Sequence, residues 1–472
     1  MTAPFVLSNF GILSTMAETI VLYSTPEHLN PMLTLAKFIA KHHQEVHVTI
    51  LCTASTSAAA AVAAIPSITY LRLPDAVTPP ANHETHAIEL LFEIPRLQKP
   101  ILTEALQEIS KKSIIRAFVI DFFCNSAFEV SKSLNIPTYY HISTGGYGLC
   151  VFLYFPTIHE TIREDIGTLN DFLVIPGCPR VHSSDFPIAM HFRDSNIYKH
   201  FLDTAINIGR SDGILVDSFD ALEAPAKDAL VKDLCTPNSK TPPVYFLGPL
   251  ITDSVSKNGV TEQECLKWLD LQPTRSVIFL CFGRRGRLSA EQLKEMAVGL
   301  ENSGHRFLWA VRNPPGNPRS PSPEEPDLDA ILPQGFLERT RDRGFVLKSW
   351  APQKEVLSHE SVGGFVTHCG WSSTLESVSF GVPMICWPLY AEQKMQRVFM
   401  VEGMKVALRL KMADDGFVTA AEIEKQVREL MESENGNQIR KRLAQMKQAG
   451  KAAAEKGGSS MVDLEKFIRR FN

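Results

Sequence analysis

Residues 350–393 read WAPQKEVLSHESVGGFVTHCGWSSTLESVSFGVPMICWPLYAEQ. Within this stretch the apolar run 364–367 predicts a strand, with His368 at its C-terminal end. Residues 369–373 predict a tight turn, and a helix is expected from about Ser373. That order aims the backbone N–H groups of the turn, and the positive end of the helix dipole, past the end of the strand, a setting suited to an anion. Ser372 and Ser373 add hydroxyl donors and His368 an imidazole donor, and a diphosphate fits such a set. A second reading fits the same residues. Ser373-x-x-Glu376 matches a capping box, in which both side chains serve only to start a helix. On this stretch alone, both readings stand.

Moving outward, short apolar runs alternate with amphipathic segments along the whole chain. Toward the N-terminus the strand-like runs are 20–23, 46–51, 68–73, 117–121, 138–142 and 213–216, with helical patterns over 31–41, 125–134 and from about 221. The pattern restarts after Gly248-Pro249, with runs at 276–281, 307–311, 345–348, 364–367, 384–386 and 406–410, and a helix from Ala290. Strands alternating with helices imply parallel sheets covered on both faces. The expected fold is therefore α/β, with two facing Rossmann-like domains and a ligand cleft between them at the C-terminal ends of the strands. The expected division is 1–17 as a disordered extension, 18–250 and 251–455 as the two domains, and 456–472 as a C-terminal helix packing back on the first. Residues 314–326, rich in Pro and Ser, read as an exposed loop.

Bulk properties narrow the function classes. The 472 residues are 44% hydrophobic and 21% charged, with a net charge of -4, which is ordinary for a globular protein and gives no electrostatic case for nucleic acid or anionic membrane. Nine cysteines without CxxC pairs suggest reduced thiols and a cytoplasmic setting. No apolar run reaches transmembrane length. Residues 1–16 lack the Lys or Arg of a secretory n-region, and Met16 is a second candidate start. Asp327-Leu328-Asp329 follows the Pro-rich stretch rather than a buried strand, so it reads as loop solvation and not a metal site. His42, His43 and His47 lack companion ligands and read as surface residues. No metal and no cofactor are expected. A nicotinamide oxidoreductase would carry a glycine-rich turn after the first strand, but residues 24–32 contain no glycine. That same loop contains His28, and the run 117–121 ends in Asp121. A histidine at a strand end, oriented by a carboxylate, has the chemistry of a general base, although a lone loop histidine is more often incidental.

Taken whole, 350–393 resembles the signature box of plant secondary-product UDP-glycosyltransferases. The resemblance rests on Trp-Ala-Pro-Gln at its start, His-Cys-Gly-Trp in the middle, the Glu of Ser-Thr-Leu-Glu, and the closing Glu-Gln. Leu332-Pro333-x-Gly335-Phe336 ahead of the box is similar to the family, as is the length of the chain. This resemblance implies a GT-B type fold, UDP-glucose as donor, a small aromatic acceptor such as a flavonoid or other phenolic, and a monomer. It assigns Trp350 to the uracil face, Ala351 and Gln353 to base or ribose, Glu376 to the ribose hydroxyls, His368 and Ser373 to the diphosphate, and Trp371, Glu392 and Gln393 to the sugar. The family associates its terminal Gln with glucose, so Gln393 favours that sugar. Thr144, next to Ser143, matches another sugar contact. His28-Leu-x-Pro-Met and Asp121-x-Phe-Cys match the catalytic positions, which implies a single inverting displacement with His28 as base and Asp121 as its partner.

Three positions depart from the family pattern. Ser372 stands where Asn is usual, Glu27 stands where Gly is usual, and the turn after 276–281 reads Phe282-Gly283-Arg284-Arg285-Gly286-Arg287 instead of carrying Ser or Thr after Phe-Gly. Arginines near a diphosphate form charge-assisted hydrogen bonds, so Gly283 and Arg284 are included in the candidate donor site; a solvated basic loop is the competing reading. The altered loops leave room for a UDP-sugar-binding relative that has lost transfer. Attack by an electron-rich ring carbon, giving a C-glycoside, would use the same base. Phe152, Tyr154, Phe155, Phe186, Met190 and Phe192 suit a flat apolar acceptor and equally suit core packing.

Overall fold

The computed structural model describes residues 17–54, 60, 62–75, 87–251, 260–315 and 325–471. Of the expected extension at 1–17, residues 1–16 lie outside them, as do the candidate start Met16 and most of the Pro- and Ser-rich stretch, while Ala17 opens the first strand. The chain divides into two compact units, 1–139 and 140–472.

In the first unit, strands β1 (Ala17–Tyr23), β2 (His47–Cys52), β3 (Ile68–Arg72) and β4 (Ser113–Asp121) lie in the order β3-β2-β1-β4. All three pairings are parallel. β1 and β2 are apolar runs with almost every residue buried, as expected for strands covered on both faces. The helix Leu29–His42 turns Met32, Leu35, Ala36 and Ile39 inward, a spacing of three and four that keeps them on one face. The strand order carries information. The chain builds outward from β1 through β2 to β3, then returns to add β4 on the other side of β1. The end of β1 beside the end of β4 is therefore the point where the winding reverses, and there the two following segments part and leave a crevice.

The division between the units falls within β5 (Thr138–Ile142). In the second unit β5 is followed by a short antiparallel pair, β6 (Phe172–Leu173) and β7 (Val181–His182). β8 (Gly213–Val216) then pairs in parallel with β9 (Val244–Phe246). The six remaining strands are β10 (Val277–Cys281), β11 (Arg306–Val311), β12 (Gly344–Lys348), β13 (Val362–Thr367), β14 (Met384–Cys386) and β15 (Ala407–Arg409). They form a wholly parallel sheet in the order β12-β11-β10-β13-β14-β15. Here the winding reverses between β10 and β13. The C-terminal helix Ser459–Arg469 packs on β9: Asp463 accepts the Phe246 N–H at 3.1 Å, and Phe467 meets Tyr245 edge-on at 5.7 Å. Among the described residues no helix is long and apolar enough to cross a membrane.

Several expectations are corrected. His28 is not in an open loop, since Pro26–His28 form a 3-10 turn and the helix begins at Leu29. The helix after β13 begins at Trp371, two residues earlier than expected, with Gly370 as N-cap. His43 is buried, with Nδ1 3.0 Å from Glu45 Oε1, so it is not a surface residue. Asp327 caps the short helix Leu328–Ile331 by accepting the N–H groups of Asp329 and Ala330, a firmer role than loop solvation.

Candidate functional site

In the first unit the residues at the winding reversal are the two that the sequence singled out. β1 delivers the turn carrying His28, and β4 ends at Asp121. Nδ1 of His28 lies 3.6 Å from Asp121 Oδ1, an ion-pair distance that a direct hydrogen bond would shorten. The ring of His28 rests on Phe123, with centroids 4.9 Å apart, and its side chain is 32% exposed while that of Asp121 is 2% exposed. The buried carboxylate is well supplied with donors. Thr25 N–H reaches Oδ2 at 2.7 Å, Thr25 Oγ1 reaches it at 3.1 Å, and Phe123 N–H reaches Oδ1 at 2.6 Å. Burial opposes ionisation here. The His28 contact and the two backbone N–H groups outweigh it and hold the Asp121 carboxyl below its usual range. A fixed anion behind Nδ1 favours the tautomer with its proton on that nitrogen, leaving Nε2 as the basic atom. Glu27, the residue that replaces the usual glycine, is half-buried in the same turn.

The second unit holds the nucleotide candidates at its own reversal, between β10 and β13. After β13 the chain runs through His368, then Cys369 in the left-handed region (φ 68°), then Gly370, and enters the helix Trp371–Phe380. Its N-cap, Gly370, makes no side-chain cap hydrogen bond, and the first N–H groups of a helix have no intrahelical acceptor. Ser373 lies inside the helix, which rules out the capping-box reading. Instead, Gln353 Nε2 donates to Ser373 Oγ at 3.0 Å and to Glu376 Oε2 at 2.8 Å. One amide thus fixes two side chains one turn apart on the same helix face. Burial raises the Glu376 carboxyl above its usual range, with the Gln353 hydrogen bond acting against that shift.

His368 is buried. Burial first, and then the charge of Arg312, lower its pKa to about 4, so the imidazole is neutral near pH 7. Its Nδ1 has no hydrogen-bond partner among the described residues. A buried ring nitrogen without a partner, at a strand end beside a helix N-terminus, is the kind of group a ligand satisfies. Gly283 follows β10 with φ 69°, and a Cβ there would lie 2.7 Å from His368 Cε1, so only glycine lets this loop approach the imidazole so closely. Arg284 is exposed, and its carbonyl accepts a hydrogen bond from Arg312. Arg312 was missed in the sequence. Half-buried at the end of β11, it also donates from Nε to the Ser349 carbonyl at 3.0 Å. The available signal was a lone cation closing an apolar strand run at the same sheet edge.

Gln393 begins the helix Gln393–Val398, and its Oε1 accepts the N–H groups of Leu389 and Tyr390 at 2.9 and 3.0 Å. Glu392 precedes it and is half-buried, and Ser372 is exposed on the first turn after His368. Trp371 is 4% exposed and its indole N–H is committed to the Asp217 carbonyl at 2.7 Å, so its side chain braces the fold and only its backbone faces the turn. Thr144 occupies the N-cap position of the helix Gly145–Thr161, and its side chain makes no cap hydrogen bond. Of the aromatic candidates, Phe155 packs on Tyr198 and Phe152 on Phe201, while Phe186 and Met190 are buried. Phe192 is exposed. Among the described residues no cluster of His, Cys, Asp and Glu has the makings of a metal site.

Known proteins match this arrangement. Residues 246–446 fit the family model described as UDP-glucoronosyl and UDP-glucosyl transferase. Baicalein 7-O-glucuronosyltransferase of Scutellaria baicalensis is 56% identical over 93% of this chain and 99% of its own length. Anthocyanidin 5,3-O-glucosyltransferase of a Rosa hybrid cultivar is 46% identical over 96% of this chain and 98% of its own. A solved complex of a UDP-glucosyltransferase from Polygonum tinctorium, capable of glucosylating indoxyl, with 3,4-dichloroaniline shares 36% identity at a TM-score of 0.87, covering 97% of this chain and 100% of that one. UGT2 of Phytolacca americana, solved with UDP-2-fluoro-glucose and pterostilbene, shares 34% identity at a TM-score of 0.85, covering 96% and 99%. The two parallel α/β sheets are those of the GT-B fold. On these grounds the chain belongs to the plant UDP-glycosyltransferases that act on flavonoids and other phenolics, and it is a glycosyltransferase.

Proposed function

We propose that the chain transfers glucose from UDP-glucose to a hydroxyl of a small aromatic acceptor such as a flavonoid or another phenolic, with inversion at the anomeric carbon. The observation that carries the reading is the His28–Asp121 pair at 3.6 Å. His28 Nε2 takes the acceptor proton, and the buried Asp121 anion stabilises the imidazolium that results. The freed oxygen attacks the anomeric carbon and the bond to UDP breaks. The charge on the departing diphosphate is met by the His368 imidazole, Ser373 and the first N–H groups of helix Trp371–Phe380. A phenol suits this base better than an alkyl alcohol, because its proton is the more acidic. Trp350 and Ala351 receive the base, Gln353 and Glu376 the ribose, and Thr144, Glu392, Gln393 and the backbone at Trp371 the sugar. With the diphosphate charge met by these groups, transfer needs no metal, and EDTA is expected to leave the rate unchanged. The chain acts as a monomer.

A glucuronosyl donor is the second reading, favoured by the 56% identity to the baicalein enzyme; Gln393 favours glucose. The test is mass spectrometry after incubation with UDP-glucose or UDP-glucuronate and a panel of flavonoids and simple phenols, with His28→Ala alongside. A gain of a hexose that acid releases and that is absent with His28→Ala supports the proposal, whereas an acid-resistant hexose is carbon-linked and replaces the hydroxyl as acceptor. A gain of a hexuronate replaces the donor. Donor binding without transfer to any acceptor would overturn the transferase assignment in favour of a binding relative.

A further inference from the structure

Glu223 is completely buried in the second unit and has no place in the reaction described above. Its oxygens accept three hydrogen bonds: Oε2 from Gly146 N–H at 2.8 Å and from Ser218 Oγ, and Oε1 from Tyr147 N–H at 2.9 Å. Gly146 and Tyr147 are the second and third residues of helix Gly145–Thr161, whose N-cap is Thr144. A threonine at that position ordinarily uses its own hydroxyl to accept one of those two N–H groups. Here a carboxylate from more than seventy positions along the chain has taken both, and the Thr144 side chain makes no cap bond. Its Oγ1 is buried without a hydrogen-bond partner among the described residues, and a Cβ on Gly148 would lie 2.5 Å from it.

The same place is tied to the nucleotide turn. Gly145 has φ 78°, and a Cβ there would meet Trp371 Cη2 at 2.6 Å and Glu223 Oε2 at 2.7 Å. Trp371, the first residue of the helix after His368, is anchored through its indole N–H to the Asp217 carbonyl. Gly145, next to Thr144, thus sits close to both Glu223 and the indole of Trp371.

Building on the donor-site reading above, we infer that Glu223 is a positioning residue: by capping the helix in place of Thr144, it releases the Thr144 hydroxyl to bind the sugar of the donor. Glu223→Gln keeps the shape but presents an amide donor where a backbone N–H needs an acceptor. Thr144 is then drawn back to cap the helix, and its hydroxyl is lost to the ligand.

The experiment is a double-mutant cycle on Glu223→Gln and Thr144→Ala, read by calorimetric affinity for UDP and for the UDP-sugar and by kcat and KM for the sugar donor. Expected is unchanged UDP affinity in all variants, with the extra affinity contributed by the sugar reduced about tenfold by either single change. The double variant should lose no more than the single ones, because both remove the same hydroxyl contact. Additive losses, or an equal fall in UDP affinity, would show Glu223 to be a purely structural cap and overturn the inference. So would unchanged UDP-sugar affinity in Glu223→Gln. Should that variant not fold, Glu223→Asp retains the charge and draws the acceptor back by one methylene, and is judged by the same criteria. If wild type transfers no sugar, the transferase reading fails separately, while the binding cycle still decides the role of Glu223.

Discussion

The two sheets place their candidate residues by the same topological device and then treat charge in opposite ways. At the β1/β4 reversal, a buried carboxylate keeps its charge because two backbone N–H groups, a hydroxyl and His28 surround it. At the β10/β13 reversal, a buried imidazole stays neutral because burial and Arg312 both oppose its protonation. The first site holds a permanent anion that favours a cation forming on His28 during reaction. The second sets a neutral ring beside the Arg312 cation and a helix N-terminus, a setting suited to an anion. One topology thus sets a buried carboxylate behind an imidazole at one reversal and a neutral imidazole beside a helix N-terminus at the other, and the difference lies in a few side chains at the strand ends.

The sharpest way to break this comparison is to disable one site and measure the other. His28→Ala is expected to lower kcat by about 10²–10⁴ with UDP affinity unchanged by calorimetry. Asp121→Asn keeps the shape but can present its amide to Nδ1, which disfavours the useful tautomer, and should also lower kcat by about 10²-fold or more. A fall in UDP affinity in either variant would mean that the division of labour is wrong.

The reverse experiment removes Gln353, whose amide serves Ser373 and Glu376 together. Gln353→Ala leaves a buried carboxyl without that donor, at a cost of about 1–3 kcal/mol. UDP affinity should fall about tenfold, with the acceptor KM preserved. If Gln353→Ala binds UDP as tightly as wild type, the ribose assignment of Glu376 loses its support.

How these sites were and were not legible in the sequence follows from the same physics. Alternating strands and helices leave a periodic trace, so the two parallel sheets were readable, as were His28 and Asp121 at strand ends. Ser373 and Glu376 were ambiguous because a capping box and a ligand pair share one spacing. Only the position of the helix start, at Trp371, separates them. Glu223 left no local pattern and Arg312 only that of a lone cation closing an apolar run, because their partners are supplied by segments distant in sequence. The hydrogen bond that holds the Trp371 indole to Asp217 was not readable either, because no motif joins the two residues.

The charge contrast also predicts a pH effect. The folded-state pKa of His368 is about 4, against 6.5 for a free imidazole. The unfolded chain therefore binds more protons between these values, and stability contributed by the neutral ring is present above about pH 6.5 and lost as pH falls toward 4. The shift amounts to about 3 kcal/mol at most. A diphosphate beside the ring favours its protonated form, so UDP binding near pH 5 should take up a fraction of a proton. Calorimetry in two buffers of different ionisation enthalpy reads this directly, and His368→Gln should abolish it. Proton uptake that persists in His368→Gln would move the diphosphate away from this residue.

The smallest effect belongs to the loop that has no counterpart at the first site. Arg284 is exposed, and Arg312 engages its carbonyl, not its guanidinium. An exposed cation near a diphosphate acts through a screened field, so Arg284→Ser should weaken UDP-sugar binding only a few-fold at low salt. The difference should shrink as salt rises, since screening removes from wild type what the substitution removes from the variant. His28→Ala, at the site with no basic loop, should leave that salt slope untouched. If Arg284→Ser changes neither affinity nor slope, the three arginines are solvated surface, and anion binding at the β10/β13 reversal rests on His368, Ser373 and the helix N-terminus.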